Sequence, residues 1–98
     1  MTEIKIFSAK WDKNFNAIAL NIKKVLSDKK IEDKVSIKVF DVDNAKNIKS
    51  FNKYTKKMER DLSIPENPTK AVPLVVIDEK PFSLGMNPKF KDNLMKKL

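Results

Sequence analysis

The chain contains no cysteine and no histidine. Without cysteine there are no disulfides, no thiol–disulfide exchange, no thiolate nucleophile and no thiolate metal ligand. Without histidine there is no imidazole to move protons near neutral pH and no imidazole metal site. These two absences remove most enzyme classes, so no catalytic residue, metal site or cofactor is expected. Arg60 is the only arginine. Its planar fork is the group that reads phosphates and guanines bidentately, whereas lysine is a point charge. The single glycine, Gly85, and the 5 prolines do not suit a low-complexity or disordered chain. No apolar run approaches the ~20 residues of a membrane span. Met1-Thr2-Glu3-Ile4 has neither the basic nor the apolar region of a secretory signal, so a cytoplasmic location is expected.

What is present fits one folded domain over residues 1–98. Hydrophobic residues make up 41% of the 98, enough for one packed interior but not for two. The net charge of +8 is nearly all lysine and would attract polyanions such as nucleic acid or acidic proteins. The same excess also fits a composition rich in Lys, Ile and Asn, in which lysine is the default surface residue.

Ala71-Val72-Pro73-Leu74-Val75-Val76-Ile77 is the longest apolar run. Its β-branched residues predict a buried strand over Val72–Ile77, with Pro73 confined to its start and a Val72–Pro73 bond of the kind that adopts cis. Glu3–Ser8 reads as a first strand, and the clean alternation of Val35–Phe40 as a second. Phe15, Ile18, Ala19, Ile22, Val25 and Leu26 form one helical stripe, with Asp12 or Asn14 as its cap. Ile48, Phe51, Thr55, Met58 and Leu62 form a second stripe in a lysine-rich background. Pro81-Phe82-Ser83-Leu84 predicts a fourth strand after a short turn. Asn87-Pro88 predicts the start of a last helix, with Asn as cap and Pro at the first helical position. Gly85 is expected at positive φ. The order is β-α-β-α-β-β-α: an α/β fold with a four-stranded mixed sheet flanked by helices.

That order, with a proline opening the third strand, resembles the thioredoxin fold. Phe7-Ser8-Ala9-Lys10-Trp11-Asp12-Lys13-Asn14-Phe15 is similar to the thioredoxin stretch in which Phe-x-Ala-x-Trp leads into Cys-x-x-Cys. Asp12 stands at the first cysteine position and Phe15 at the second. Phe40-Asp41-Val42-Asp43-Asn44 is similar to the segment closing the second strand of thioredoxins. Ala71-Val72-Pro73 and the strand after it look more like a glutaredoxin. The glutaredoxin Gly-Gly pair aligns with Ser83-Leu84, leaving Gly85 one place late. Met58–Lys70 lengthens the chain relative to a minimal thioredoxin, with no role assigned.

The resemblance implies a redox-inactive binding module that keeps the former active-site groove. The residues it nominates are Trp11, Asp12 and Lys13 from the first loop, Val72 and Pro73 from the third strand, and Gly85 and Met86 after the fourth. In the family, the residue before the proline offers its backbone to an extended peptide or to glutathione, a β-like pairing that needs no thiol. The expected partner is therefore a protein or peptide segment, acidic if the net charge selects it. Each residue also has a plainer role. Trp11 would anchor packing, Asp12 would cap the helix rather than act as an acid or ligand, Phe15 would seal the core, and Pro73 would serve backbone geometry alone. Two further readings are a nucleic-acid or polyanion binder using the second helix, with Tyr54 as its one stacking platform, and a glutathione-binding domain.

Overall fold

The computed structural model of the protein describes residues 2–61, 72–85 and 88–98, the side chains of 58–61 excepted. The elements are β1 (Thr2–Ser8), α1 (Phe15–Lys29), β2 (Val35–Asp41), α2 (Ala45–Asp61), β3 (Leu74–Ile77), β4 (Lys80–Leu84) and α3 (Phe90–Lys97), with a short 3₁₀ turn at Glu32–Lys34 before β2. The strands form one mixed sheet in the order β2-β1-β3-β4. β1 pairs with β2 in parallel from Thr2–Val35 to Ser8–Asp41, and with β3 antiparallel from Ile4–Ile77 to Phe7–Leu74.

Alternation along the strands divides the interior into two layers. Ile4, Ile6, Val75 and Ile77 point to one face and pack against Ile18, Ile22, Val25 and Leu26 of α1 and Phe90 and Leu94 of α3. Phe7, Leu74 and Val76 point to the other face and pack with Phe51 and Tyr54 of α2 and with Val42. β3 contributes to both layers, which is why its sequence is uninterrupted Leu-Val-Val-Ile rather than alternating. Phe7 is stacked on Phe40, with centroids 5.0 Å apart, and meets Phe51 edge-on at 6.3 Å. Such pairs add about 0.5–1.5 kcal/mol each beyond their buried area.

With one glycine in the chain, other residues take the left-handed positions. Lys30 ends α1 at φ 55°, its N–H donating to Ser27 O while that of Ile31 donates to Leu26 O. Asp78 and Glu79 form the β3–β4 turn with φ of 48° and 68°, the pair of positive values a two-residue hairpin turn needs. Gly85 has φ 72°, as expected, and the Val72–Pro73 peptide is cis. β4 lies at the sheet edge, where Pro81 is tolerated, and its register shifts between Val75 and Val76.

Three expectations are corrected. The last helix begins at Phe90, with Pro88 and Lys89 in a turn, so Pro88 is not its first residue; Asn87 lies outside the described residues. β3 begins at Leu74 rather than Val72. Tyr54 is buried at 4% exposure and is no stacking platform. The stretch 62–71, which holds Leu62 and most of Met58–Lys70, also lies outside the described residues, as do Met86 and the Met58 side chain.

The Tyr54 hydroxyl donates to Glu79 Oε2, and Lys5 Nζ lies 2.5 Å from Glu79 Oε1 and 3.5 Å from the Tyr54 oxygen. This cluster ties α2 to the β3–β4 turn across β1. The hydrogen bond from Lys5, then that from Tyr54, holds the Glu79 carboxyl below its usual range. Burial, reinforced by Glu79, raises Tyr54. A carboxylate with a depressed folded-state pKa stabilises above its unfolded value and loses that contribution as pH falls through the folded value. Glu79→Gln should therefore lower the Tm at neutral pH, with the difference from wild type vanishing in acid once the carboxyl is protonated. Parallel thermal melts across the carboxylate range check this.

Candidate functional site

β1 and β2 run parallel and end together, so the loops that follow them converge at one end of the sheet. Crevices at the carboxyl ends of parallel strands are where α/β sheets generally bind ligands. Ser8 O accepts the Val42 N–H at 2.8 Å, locking the two strand ends together.

The first loop is held by Asp12. Its N–H donates to Ala9 O at 3.0 Å, closing a turn. Its Oδ2 accepts the Ser8 hydroxyl at 2.7 Å, and its Oδ1 accepts the Asn14 N–H at 2.8 Å. The cap expectation is corrected in detail. Asn14 occupies the cap position of α1 without a side-chain hydrogen bond, and Asp12 accepts from Asn14 itself, an Asx-turn, rather than from the first helical turn. Both carboxylate oxygens are thus engaged in holding the loop.

Trp11, within that turn, is 55% exposed, so the packed-anchor role does not describe it. Its indole N–H points to Asp43 Oδ1 at 3.5 Å. Asp43 is fixed in turn by its N–H donating to Asp41 Oδ1 at 2.9 Å, and Asn47 Nδ2 donates to Asp41 O at 2.8 Å. At the start of α2, Asn44 Oδ1 accepts the Lys46 N–H at 3.0 Å, the side-chain cap that α1 lacks. An open groove of about 330 Å³ lies between the loop and β2, lined by Ser8, Ala9, Lys10, Asp12, Phe15, Asn16 and Val39–Asp41; Trp11 is not among its lining residues. Phe15 is half-buried. It packs against the α1-side core and also forms part of the groove wall.

The nominated residues fall into two groups. Trp11, Asp12 and Lys13 share the loop, and of these Asp12 lines the groove. Val72 and Pro73 are buried on the other flank of β1; carrying the β1–β3 register one step on sets Pro73 beside Ser8. Val72 packs with Phe7, Ala9, Val42 and Phe51, and Pro73 O accepts the Gly85 N–H at 2.9 Å. Neither Val72, Pro73 nor Gly85 lines the groove, and Met86 lies outside the described residues. The sequence reading missed Asn16, Val39, Phe40, Asp41 and Asp43. Their signal was the shared end of two parallel strands, which needs the pairing register. Ser83, at the position of the glutaredoxin glycine pair, is buried with its hydroxyl unpartnered among the described residues. Among the described residues no cluster of acidic side chains could hold a metal ion, and no helix is long and apolar enough to cross a membrane.

No family model matches the chain, and no curated protein matches it.

Replacing Asp12 tests the loop's construction. Asp12→Ala removes two acceptors and should cost about 1–3 kcal/mol. Asp12→Asn, which keeps an acceptor for the Asn14 N–H, should cost less. Urea unfolding of both variants gives the comparison, and equal costs would contradict the assignment.

Proposed function

We propose that the protein is a redox-inactive module of thioredoxin type that binds an extended protein or peptide segment in the groove between the Trp11 loop and β2. The thioredoxin assignment is supported by the β2-β1-β3-β4 order, with β1 and β2 parallel and β4 antiparallel to β3, and by a register that, carried one step on, sets Pro73 beside Ser8, the residue that ends β1 before the Trp loop. With no cysteine, the loop cannot exchange disulfides. The observation that carries the binding role is the exposed indole on a loop whose neighbouring residues, Lys10 and Asp12, line a groove shared with Ala9, Phe15, Val39 and Phe40. Exposed aromatics beside apolar clefts are typical anchors for a partner. The partner segment is apolar rather than acidic. Asp12 and Asp41 line the groove against Lys10 alone, so the chain's net positive charge is not expressed there.

Trp11 is the chain's only tryptophan and lies between Lys10 and Asp12, which line the groove, so its fluorescence reports a partner that docks against the loop. Peptides selected against the folded protein from a displayed library should shift its emission to the blue. They should bind with little salt dependence and lose affinity on Trp11→Ala. Selected peptides that leave the emission unchanged would contradict the groove. Heat from millimolar glutathione in a titration would favour the glutathione reading instead.

A second reading rests on α2. Lys46, Lys49, Lys53, Lys56 and Lys57 are all exposed, no carboxylate lies between Asn44 and Met58 in sequence, and the described ion pairs involve none of them. With Tyr54 buried, a polyanion there would meet ammonium groups without base stacking. Binding to a random-sequence duplex would then fall with added salt, with a log–log slope no steeper than about −4.5 for five phosphates.

A further inference from the structure

The two faces of the sheet are covered differently. α1 and α3 lie side by side on one, whereas α2, through Ile48, Phe51 and Tyr54, is the only helix on the other among the described residues. A helix with no helix beside it stands out as a ridge. At about 100° per residue, Lys46, Lys49, Lys53, Lys56 and Lys57 fall within an arc of about 100°, opposite the arc of Ile48, Phe51 and Tyr54. All five are exposed, and none takes part in a described ion pair. The nearest carboxylates in sequence, Asp43 and Glu59, fall outside the stretch. Glu79, which approaches from the β3–β4 turn, is engaged by Lys5 and Tyr54. The crest of the ridge therefore carries five positive charges with no carboxylate among them. Lys49, Asn52, Lys53, Lys56 and Lys57 border one open depression of about 510 Å³, which leaves room for phosphate groups between the ammonium arms.

We infer that α2 is the contact for double-stranded DNA, lying along the major groove with its lysines on the phosphates of the flanking backbones. This rests on the polyanion reading of α2, whose ligand it names, and not on the peptide groove. Size and length both fit. A helix with its side chains is about 10–12 Å across, and the major groove of B-form DNA is about 12 Å wide. The stretch from Lys46 to Lys57 spans about 17 Å of helix axis, or about five phosphate steps of one strand at 3.4 Å each. The major groove of an RNA duplex is too deep and narrow for side chains to read.

The chemistry of the ridge disfavours the other anions. Protein interfaces are depleted in lysine and enriched in aromatic, Met and Arg side chains, none of which lies on this arc between Lys46 and Lys57. Stable attachment to a membrane takes an apolar or lipid group beside a basic patch, and the arc holds no apolar residue. Single strands are held by aromatic stacking, and Tyr54 is buried. Lysine meets phosphate as a point charge without reading base edges, so binding is independent of sequence.

The test follows the anisotropy of short labelled probes of mixed sequence across a salt series. The probes are a DNA duplex, the RNA duplex of the same sequence, the DNA single strand, and heparin as a general linear polyanion. Lys49→Gln/Lys53→Gln removes two charges from the ridge. Lys23→Gln/Lys24→Gln removes two from the exposed face of α1 and matches it in net charge. Trp11 emission checks that both variants stay folded. The DNA duplex should bind more tightly than the RNA duplex or the single strand, with a log–log salt slope near −4.5. The α2 variant should lower that slope by about 1.8 and weaken binding about tenfold or more at low salt, while the α1 variant stays near wild type. DNA and RNA duplexes bound alike, or a single strand bound as tightly as the duplex, would overturn the inference, and heparin binding lost only in the α2 variant would still uphold the polyanion reading. Equal losses in the two variants, or no binding of any probe, would overturn both.

Discussion

β1 is hydrogen-bonded on both sides, in parallel to β2 and antiparallel to β3, and the positions of the other elements follow from it. Its alternation assigns Ile4 and Ile6 to the layer under α1 and α3, and Lys5 and Phe7 to the layer under α2. Its last residue, Ser8, touches both halves of the candidate site: its carbonyl holds the β2–α2 connection through Val42, and its hydroxyl holds the Trp11 loop through Asp12. A strand fixed from two sides is a rigid support for a binding loop, and a loop on a rigid support loses little entropy when a partner docks.

The Asp12 carboxylate organises that loop by hydrogen bonding alone. It takes one bond from the end of β1 and one from the chain entering α1, and Trp11 on the same loop stays exposed. In the proposed thioredoxin-type reading this is the position of a nucleophilic thiol. A carboxylate there keeps the shape of the loop while giving up exchange chemistry, which suits a surface that binds without reacting. The second tie across the sheet, Lys5–Glu79–Tyr54, acts at the middle of β1, so two polar clusters hold the same strand, one at its centre and one at its end.

The element order was legible because the signals for it are local. The β-branched run at Leu74–Ile77, the alternation of Val35–Phe40 and the three-four spacing from Phe15 to Leu26 each specify one conformation without help from distant residues. Where the reading failed, the deciding contact was remote. Tyr54 sits among lysines and looks solvated, but it is three residues from Phe51 on the same stripe, and its hydroxyl is satisfied by Glu79, 25 residues away. Asn87-Pro88 carries a strong helix-start pattern, yet the first backbone bond of α3 runs from the Asn93 N–H to Lys89 O. For the groove, the sequence paired the Trp loop with Val72 and Pro73, whereas its lining comes from Val39–Asp41 on the other neighbour of β1. Choosing between two flanking strands requires the register, which no local pattern contains.

If Asp12 pre-forms the loop, the Asn14 amide is held in the free protein before any partner arrives. Amide hydrogen exchange at Asn14, followed by NMR and compared between wild type and Asp12→Ala, measures this directly. The bonds described here require slow exchange at Asn14 in the wild type and faster exchange in the variant, with Val42 protected in both through Ser8. An Asn14 amide exchanging at the rate of an open loop in the wild type would contradict a pre-formed site.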